Sequence, residues 1–348
     1  MERPEAENRL GLVLSGGGAR AFAHIGVLRV LSRAGARFDV VAGTSMGAII
    51  GALYAAGATP DDIYEIASRV GWRDVVDISL QAGLIKGDKL EALLAEHLPP
   101  DFADLQIPLA VTTTDVENGD AVVLQEGDLV KAVRASSSYP GAIEPLLLHG
   151  RVLADGGIVN NLPVSAATLL GATRTIASDV TPARHSVYRT PDEEGNWLER
   201  MVATVKLERR NPMAQMLLRS SDIMQSILVD IQASIHPPDL RIRMSMPQYR
   251  IESFKDLDDL VAIGEATAEA ALATRGGWDK VVDLGARVEQ LLEYAPEAQE
   301  LEADLAQAGV PANAEVQVNG PARKMGKGAK EPPLPALARG AVRRVRRS

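Results

Sequence analysis

One nine-residue run, Val40-Val41-Ala42-Gly43-Thr44-Ser45-Met46-Gly47-Ala48, limits the folds open to this chain more than any other. An apolar stretch with the length of a buried strand enters Gly-x-Ser-x-Gly, and Ala48-Ile49-Ile50-Gly51-Ala52-Leu53 continues as a helix. A serine between two glycines at a strand-to-helix junction is the signature of a nucleophile elbow. The turn is so tight that the serine backbone is strained and its hydroxyl stands clear of the sheet. Gly43 and Gly47 keep Cβ atoms away from the turn and from a substrate.

Upstream, residues 10–14 (Leu-Gly-Leu-Val-Leu) read as a buried strand. Ser15-Gly16-Gly17-Gly18-Ala19-Arg20 follows, and residues 21–31 carry apolar side chains at helical spacing. A glycine-rich loop before a helix can point several backbone N–H groups into one concavity. No Gly-Lys-Ser/Thr closes the loop, which argues against a P-loop. The glycine spacing does not fit a dinucleotide fingerprint, and the next acid, Asp39, opens the second strand instead of ending it. Two readings stay open: a tight turn, or an oxyanion hole that places backbone donors at a developing carbonyl oxyanion. Strand, loop, helix, strand, elbow, helix is a right-handed βαβα start. Parallel strands then put the glycine loop and Ser45 at the same carboxyl edge of the sheet, where open α/β sheets bind ligands.

Ser45 needs a base. The chain has five histidines, His24, His97, His149, His185 and His236. None sits where a strand's carboxyl edge delivers it to the serine, and each reads as a packing or surface residue. Asp155 fits better. It ends a short strand over residues 152–154, and Gly156-Gly157 leave space beyond its carboxylate. An aspartate at its ordinary pKa of about 3.9 is a weak base, and desolvation in a cleft raises it. Asp115, before the turn Asn118-Gly119-Asp120, reads as a turn-capping residue.

Taken in order, Ser15-Gly16-Gly17-Gly18-Ala19-Arg20, Gly43-Thr44-Ser45-Met46-Gly47 and Asp155-Gly156-Gly157 resemble the three signatures of the patatin-like phospholipase family. Phe22-Ala23-His24-Ile25-Gly26-Val27-Leu28 flanks the first motif. Ala135-Ser136-Ser137 and Pro140 precede the third, and Asn160-Asn161-Leu162-Pro163 follow it. The match is closest to the bacterial neuropathy-target-esterase-like branch. It is strong over residues 10–179, weak to about 274, and absent from the tail. The resemblance implies a patatin-like α/β fold, with a mostly parallel sheet and helices on both faces. It implies Ser45 as nucleophile, Asp155 as its base, and Gly16, Gly17 and Gly18 as the oxyanion hole, helped by Arg20. It implies hydrolysis of lipid acyl esters, as by a phospholipase or lysophospholipase, without metal, histidine or other cofactor. Ala21 departs from the family pattern, which continues with glycine. A lipid-binding or adaptor protein that keeps the fold without catalysis is the alternative; a nucleotide-binding protein is a poorer one.

The remaining expectations concern organisation. The chain of 348 residues has no cysteine, which excludes disulfides and thiol catalysis. Expected segments are an extension over 1–9, a catalytic domain over 10–275, a helical extension over 276–310 and a basic, unstructured tail over 311–348. Residues 321–348 hold nine Lys or Arg against one Glu, while the whole chain carries −9. The body is therefore acidic, at −17, and is no nucleic-acid binder by charge. The tail suits peripheral contact with anionic lipid. No signal peptide and no apolar span of membrane length is read, so the expected location is cytoplasmic, with membrane-surface contact open. Residues 71–85, including Trp72, Ile78 and Leu84, read as packing under a loop, a cap over the site or a membrane-touching loop.

Overall fold

The computed structural model describes residues 8–70, 86–182 and 212–282. The chain divides into a unit Met1–Leu284 and a unit Gly285–Ser348, the second wholly outside the described residues. Also outside them lie residues 71–85, residues 183–211, the helical extension expected over 276–310 beyond residue 282, and the basic tail.

The described part is built on an eight-stranded sheet. Strands β1 (Leu10–Leu14), β2 (Val40–Thr44), β3 (Leu109–Asp115), β7 (Arg174–Asp179) and β8 (Leu240–Arg243) run parallel. Strands β4 (Asp120–Leu124), β5 (Leu146–Leu148) and β6 (Arg151–Asp155) join antiparallel. The order is β5-β6-β3-β2-β1-β7-β8, with β4 on β3. β1, β2, β3 and β7 are buried along their whole length. A sheet covered on both faces produces such continuous apolar runs in the sequence.

The two faces differ. Leu10, Leu12 and Leu14 of β1 enter one core with Val41, Leu109, Val111 and Ile176, whereas Val13 enters the other with Val40, Ala42, Ala110 and Ala177. The first face carries α1 (Ala23–Arg33), α2 (Met46–Ala55), α3 (Pro60–Arg69), α4 (Asp88–His97), α5 (Leu129–Ser136) and α8 (Leu257–Thr274). The second is covered by α6 (Val164–Leu169) and by Val229 of α7 (Pro212–Ile235). A short α9 (Trp278–Val282) closes the described chain.

Local chemistry accounts for several boundaries. Thr59 caps α3 in a full capping box: its hydroxyl accepts the Asp62 N–H, and Asp62 accepts the Thr59 N–H. Asp128 caps α5 through the Lys131 N–H. α5 runs through Ser136, with the Ser137 N–H closing its last turn on the Val133 carbonyl at 3.1 Å, and the Ser137 and Ser138 hydroxyls also donate to the Val133 and Arg134 carbonyls. Residues 18–22, read as the start of a helix from Ala21, form a 3-10 turn, and α1 begins at Ala23. Phe254 packs edge-on against Phe22, and α8 begins at Leu257. Asp115 accepts from the Glu117 N–H and the Asn118 side chain, as a turn cap does.

The register on β3 positions the site. Residues 109–112 of β3 face Val41–Thr44 of β2, and residues 113–115 face Asp155–Leu153 of β6. β4 pairs along residues 111–115, overlapping both. A strand has two edges, so β4 fills one while β2 and β6 share the other. They run in opposite directions and meet end to end: Thr44 lies opposite Thr112, and Asp155 opposite Thr113. The residue after Thr44 is Ser45.

Candidate active site

Ser45 sits between β2 and α2 at φ 55 and ψ −129, a left-handed conformation rare for a non-glycine residue. The strain persists because the surroundings hold it. The Ser45 N–H donates to Ser136 Oγ at 2.8 Å, and the Ser136 hydroxyl donates to the Thr112 carbonyl at 2.6 Å. The Ser45 carbonyl accepts from Ala48 and Ile49 in the first turn of α2. Both flanking glycines are required sterically. A Cβ on Gly47 would lie 2.4 Å from the Ser15 carbonyl oxygen, and one on Gly43 would lie 2.7 Å from the Ala48 Cα and the Gly47 oxygen.

Asp155 ends β6 and is 2% exposed. Its Oδ1 accepts the Gly157 N–H at 2.7 Å, while Oδ2 is buried without a hydrogen-bond partner. Desolvation pushes the carboxyl up to about 6, against the opposing effects of the Ser45 hydroxyl and the Gly157 amide. Ser45 is thus near enough to act on the carboxyl, yet no hydrogen bond of normal geometry joins the two. Catalytic hydrogen bonds in unliganded sites are commonly long. The free lone pairs of Oδ2 are where a proton from Ser45 can go. Thr114 steadies the backbone here, its hydroxyl donating to the Asp155 carbonyl at 2.9 Å.

The glycine loop leaves β1 beside this pair. Gly16 is not available as a hole donor: its N–H is bonded to the Asn161 carbonyl at 3.2 Å. This corrects the expectation of three donors, since spacing alone does not reveal which amide is tied to a neighbouring loop. The amides of Gly17 and Gly18 have no hydrogen bond to another described residue. Both residues line the cleft with Ser45 and Asp155. Gly18 has φ +56, and a Cβ there would lie 2.5 Å from the Ile251 oxygen. Arg20 is buried, and its Nε donates to the Gly17 carbonyl at 3.3 Å. Burial pushes its pKa below the ordinary guanidinium value, and the Asp222 carboxylate acts against that. Asn161 binds the loops together, its Nδ2 donating to the Gly16 carbonyl at 3.2 Å and to Thr181 Oγ1 at 3.1 Å.

These groups open into a cleft of about 540 Å³ whose walls away from Ser45 are apolar, with Ile49, Leu53, Ile63, Ile66, Leu90 and Leu94 from α2, α3 and α4. The histidines lie elsewhere or in other roles. His24 is fully buried: Nε2 donates to the Ser15 carbonyl at 2.9 Å and Nδ1 accepts from Ser178 Oγ at 2.7 Å, a neutral tautomer set by the carbonyl. Desolvation lowers its pKa to about 4. His97 ends α4 and lines the cleft; His149 and His236 are exposed; His185 is outside the described residues.

Ser136, Asn161 and Asp222 were not identified from sequence as site residues. The first two stand in the flanks Ala135-Ser136-Ser137 and Asn160-Asn161-Leu162-Pro163, where a polar residue beside a motif was the available signal. Asp222 reaches Arg20 across 202 positions, with no local signal at all.

Residues 12–168 match the model of a family described as patatin-like phospholipase. An NTE family protein of Mycobacterium tuberculosis is 37% identical over 210 residues, 58% of this chain and 57% of that protein. A second from the same species is 31% identical over 293 residues, 78% of this chain and 48% of the relative. A lysophospholipase nte1 of Emericella nidulans is 30% identical over 279 residues, 74% of this chain and 18% of the relative. The chain therefore spans about half the length of the two mycobacterial relatives and a smaller part of the fungal one.

Proposed function

We propose that this chain, which belongs through residues 12–168 to the patatin-like phospholipase family and has its α/β fold, is a serine hydrolase of lipid acyl esters. The observation that carries the proposal is the juxtaposition of Ser45, strained at φ 55, with Asp155, whose buried Oδ2 is unpartnered and whose pKa burial raises to about 6. Asp155 takes the proton of Ser45 Oγ as the hydroxyl attacks the ester carbonyl. The oxyanion of the tetrahedral intermediate is met by the Gly17 and Gly18 amides. The protonated Asp155 then returns its proton to the leaving alcohol, and an acyl ester remains on Ser45. In the second half Asp155 deprotonates water as it attacks that acyl group, and then returns the proton to Ser45 Oγ as the acyl–Oγ bond breaks, releasing the fatty acid and restoring Ser45 and ionised Asp155. The apolar cleft walls accommodate the acyl chain.

Turnover of a phospholipid and lysophospholipid panel tests the proposal, with labelling by a fluorophosphonate as an independent readout. Ser45→Ala is expected to abolish both, and Asp155→Asn to abolish turnover. Near-normal turnover in either variant overturns the dyad. A wild-type chain that binds lipid, turns nothing over and resists the probe is a binding protein. Residues 322–348, outside the described residues, supply the proposed contact with anionic headgroups on a cytoplasmic membrane face. Equal binding of full-length and tail-deleted chains to anionic vesicles removes that part. Among the described residues no helix is long and apolar enough to cross a membrane.

A further inference from the structure

Arg20 and Asp222 form a connection that the dyad chemistry does not use. Arg20 is 5% exposed and, like Asp222, lines the cleft with Gly17 and Gly18. Its Nε donates to the Gly17 carbonyl at 3.3 Å, and its Nη2 reaches Asp222 Oδ1 of α7 at 3.5 Å. A trans peptide is planar, so the Gly17 carbonyl and the Gly18 N–H point in opposite directions. Holding the carbonyl toward Arg20 therefore aims the Gly18 N–H away from it. The rest of the loop is braced, with the Ala19 N–H bonded to the Ile251 carbonyl at 2.9 Å and Gly18 packed against Ile251. The Gly17–Gly18 peptide lies between two glycines at the N-cap of the 3-10 turn, where the Gly17 carbonyl is the turn's first backbone acceptor, and the Arg20 side chain adds a second hold on that carbonyl.

A buried guanidinium stays in place only if its charge is matched. Among the described residues, Asp222 is the carboxylate in contact with Arg20. The same helix is fastened on either side of that contact. Tyr139 donates to Ser221 Oγ at 3.3 Å, and Gln232 Nε2 donates to the Val159 carbonyl at 2.6 Å. Gln225 lies beside Gly157 at the Asp155 loop and lines the cleft. Asp222 is thus held at a fixed place by a helix that touches both catalytic loops.

We infer that Asp222 is a positioning residue for the oxyanion loop: by pairing with Arg20 it fixes the Gly17 carbonyl and so the direction of the Gly18 N–H. The inference rests on the reading of the chain as a serine hydrolase with its hole at Gly17 and Gly18. Removal of a hole donor outright costs about 10²- to 10³-fold in kcat, so misaiming one is expected to cost less, about 10- to 100-fold. An interaction made only with the oxyanion lowers kcat and leaves KM nearly unchanged.

The test is a double-mutant cycle on the full chain, with Asp222→Asn, Arg20→Ala and the pair, assayed for kcat, KM and the rate of fluorophosphonate labelling. Asp222→Asn is expected to lower kcat and the labelling rate together by about 10- to 100-fold, with KM within about twofold. In the Arg20→Ala background the same change is expected to cost less than about twofold, because Asp222 acts through Arg20. Asp222→Glu, which keeps the charge, is expected to recover part of the lost kcat. Full additivity of the two substitutions, or an Asp222→Asn variant with wild-type kcat, overturns the inference while leaving the hydrolase reading intact. An unlabelled, inactive wild-type chain overturns that reading and the inference with it.

Discussion

Asp155→Asn removes the proposed base, and it also removes a pH-dependent cost to folding. Burial holds the carboxyl at about 6, against 3.8 for an ordinary aspartate. The folded pKa lies above the unfolded one, so between about pH 4 and pH 6 the folded state binds more protons, and stability falls as pH rises through that window. One pKa unit is worth about 1.4 kcal/mol, so the ionised carboxylate costs about 3 kcal/mol once pH exceeds 6. At 2% exposure, little solvent screening reduces this. Asparagine can still accept the Gly157 N–H through its amide oxygen, while its NH₂ replaces an atom that had no partner. An unsatisfied NH₂ costs about 1–3 kcal/mol at every pH, so the diagnostic quantity is the pH dependence of the difference between the two chains. His24 works in the opposite sense. Its folded pKa is about 4 against 6.5, so stability is lost as pH falls through that range, again by about 3 kcal/mol. The two slopes nearly cancel in the wild type. Urea unfolding from pH 4 to pH 8 is therefore expected to give a flat contribution from this pair in the wild type and a rising one in Asp155→Asn. The variant gains about 3 kcal/mol relative to the wild type between pH 4 and pH 7, on the order of 6–12 °C in Tm for a domain of this size. A difference between the two chains that stays constant from pH 4 to pH 7 refutes the claim that Asp155 is buried with a raised pKa.

Other perturbations follow from the same geometry. In the proposed mechanism the ionised form of Asp155 is the base, so kcat/KM for an ester that the chain turns over is expected to fall about tenfold per pH unit below about 6; a profile flat from pH 5 to pH 8 refutes it. Ser136→Ala removes the acceptor of the Ser45 N–H and leaves the Thr112 carbonyl unpaired by that hydroxyl. A loss of about 1–3 kcal/mol of stability and a slower labelling of Ser45 are expected, measured by urea unfolding and probe kinetics. Gly47→Ala forces a Cβ to within 2.4 Å of the Ser15 carbonyl oxygen. Overpacking of this kind costs about 1–3 kcal/mol or more, and turnover is expected to fall well before global unfolding, because the displaced atoms are the elbow and the glycine loop. Gly264→Ala places a Cβ 1.9 Å from the Ala23 carbonyl where α1 and α8 cross, and is expected to lower Tm without changing KM in the fraction that stays folded.

What was legible from sequence follows from how local each signal is. Thr59-Pro60-Asp61-Asp62 reads as a helix start because a capping threonine and a first-turn proline lie within four residues, and α3 begins there. Continuous apolar runs mark β1 and β2 in the sequence because those strands are buried on both faces. Parallel βαβ topology placed the glycine loop and Ser45 at one edge without any coordinates. The C-terminal end of α5 is not legible, since Ser136, Ser137 and Ser138 look like loop residues until their hydroxyls are seen returning to α5 carbonyls or supporting the elbow. Gly16 was expected to donate into the hole because three successive glycines look alike in a sequence. Its engagement by the Asn161 carbonyl depends on how a loop 145 positions away is folded back.

The meeting of Ser45 with Asp155 belongs to neither motif. It is fixed by β3, whose Thr112 faces the end of β2 and whose Thr113 faces the end of β6 on the same edge. Side chains alternate along a strand, so a slip of one residue in the β3–β6 pairing would turn Asp155 to the opposite face of the sheet, away from Ser45. The threonines of β3 resist that slip. Thr113 donates to the Val122 carbonyl at 3.1 Å on the β4 side, and Thr114 donates to the Asp155 carbonyl at 2.9 Å on the β6 side. Backbone pairs from Thr113 to Asp115 carry the rest. The Thr-Thr-Thr-Asp end of β3 reads in sequence as ordinary β-branched strand, yet it sets the distance between Ser45 and Asp155. Any substitution that shifts this register by one residue should separate the two while leaving every residue of the three motifs unchanged.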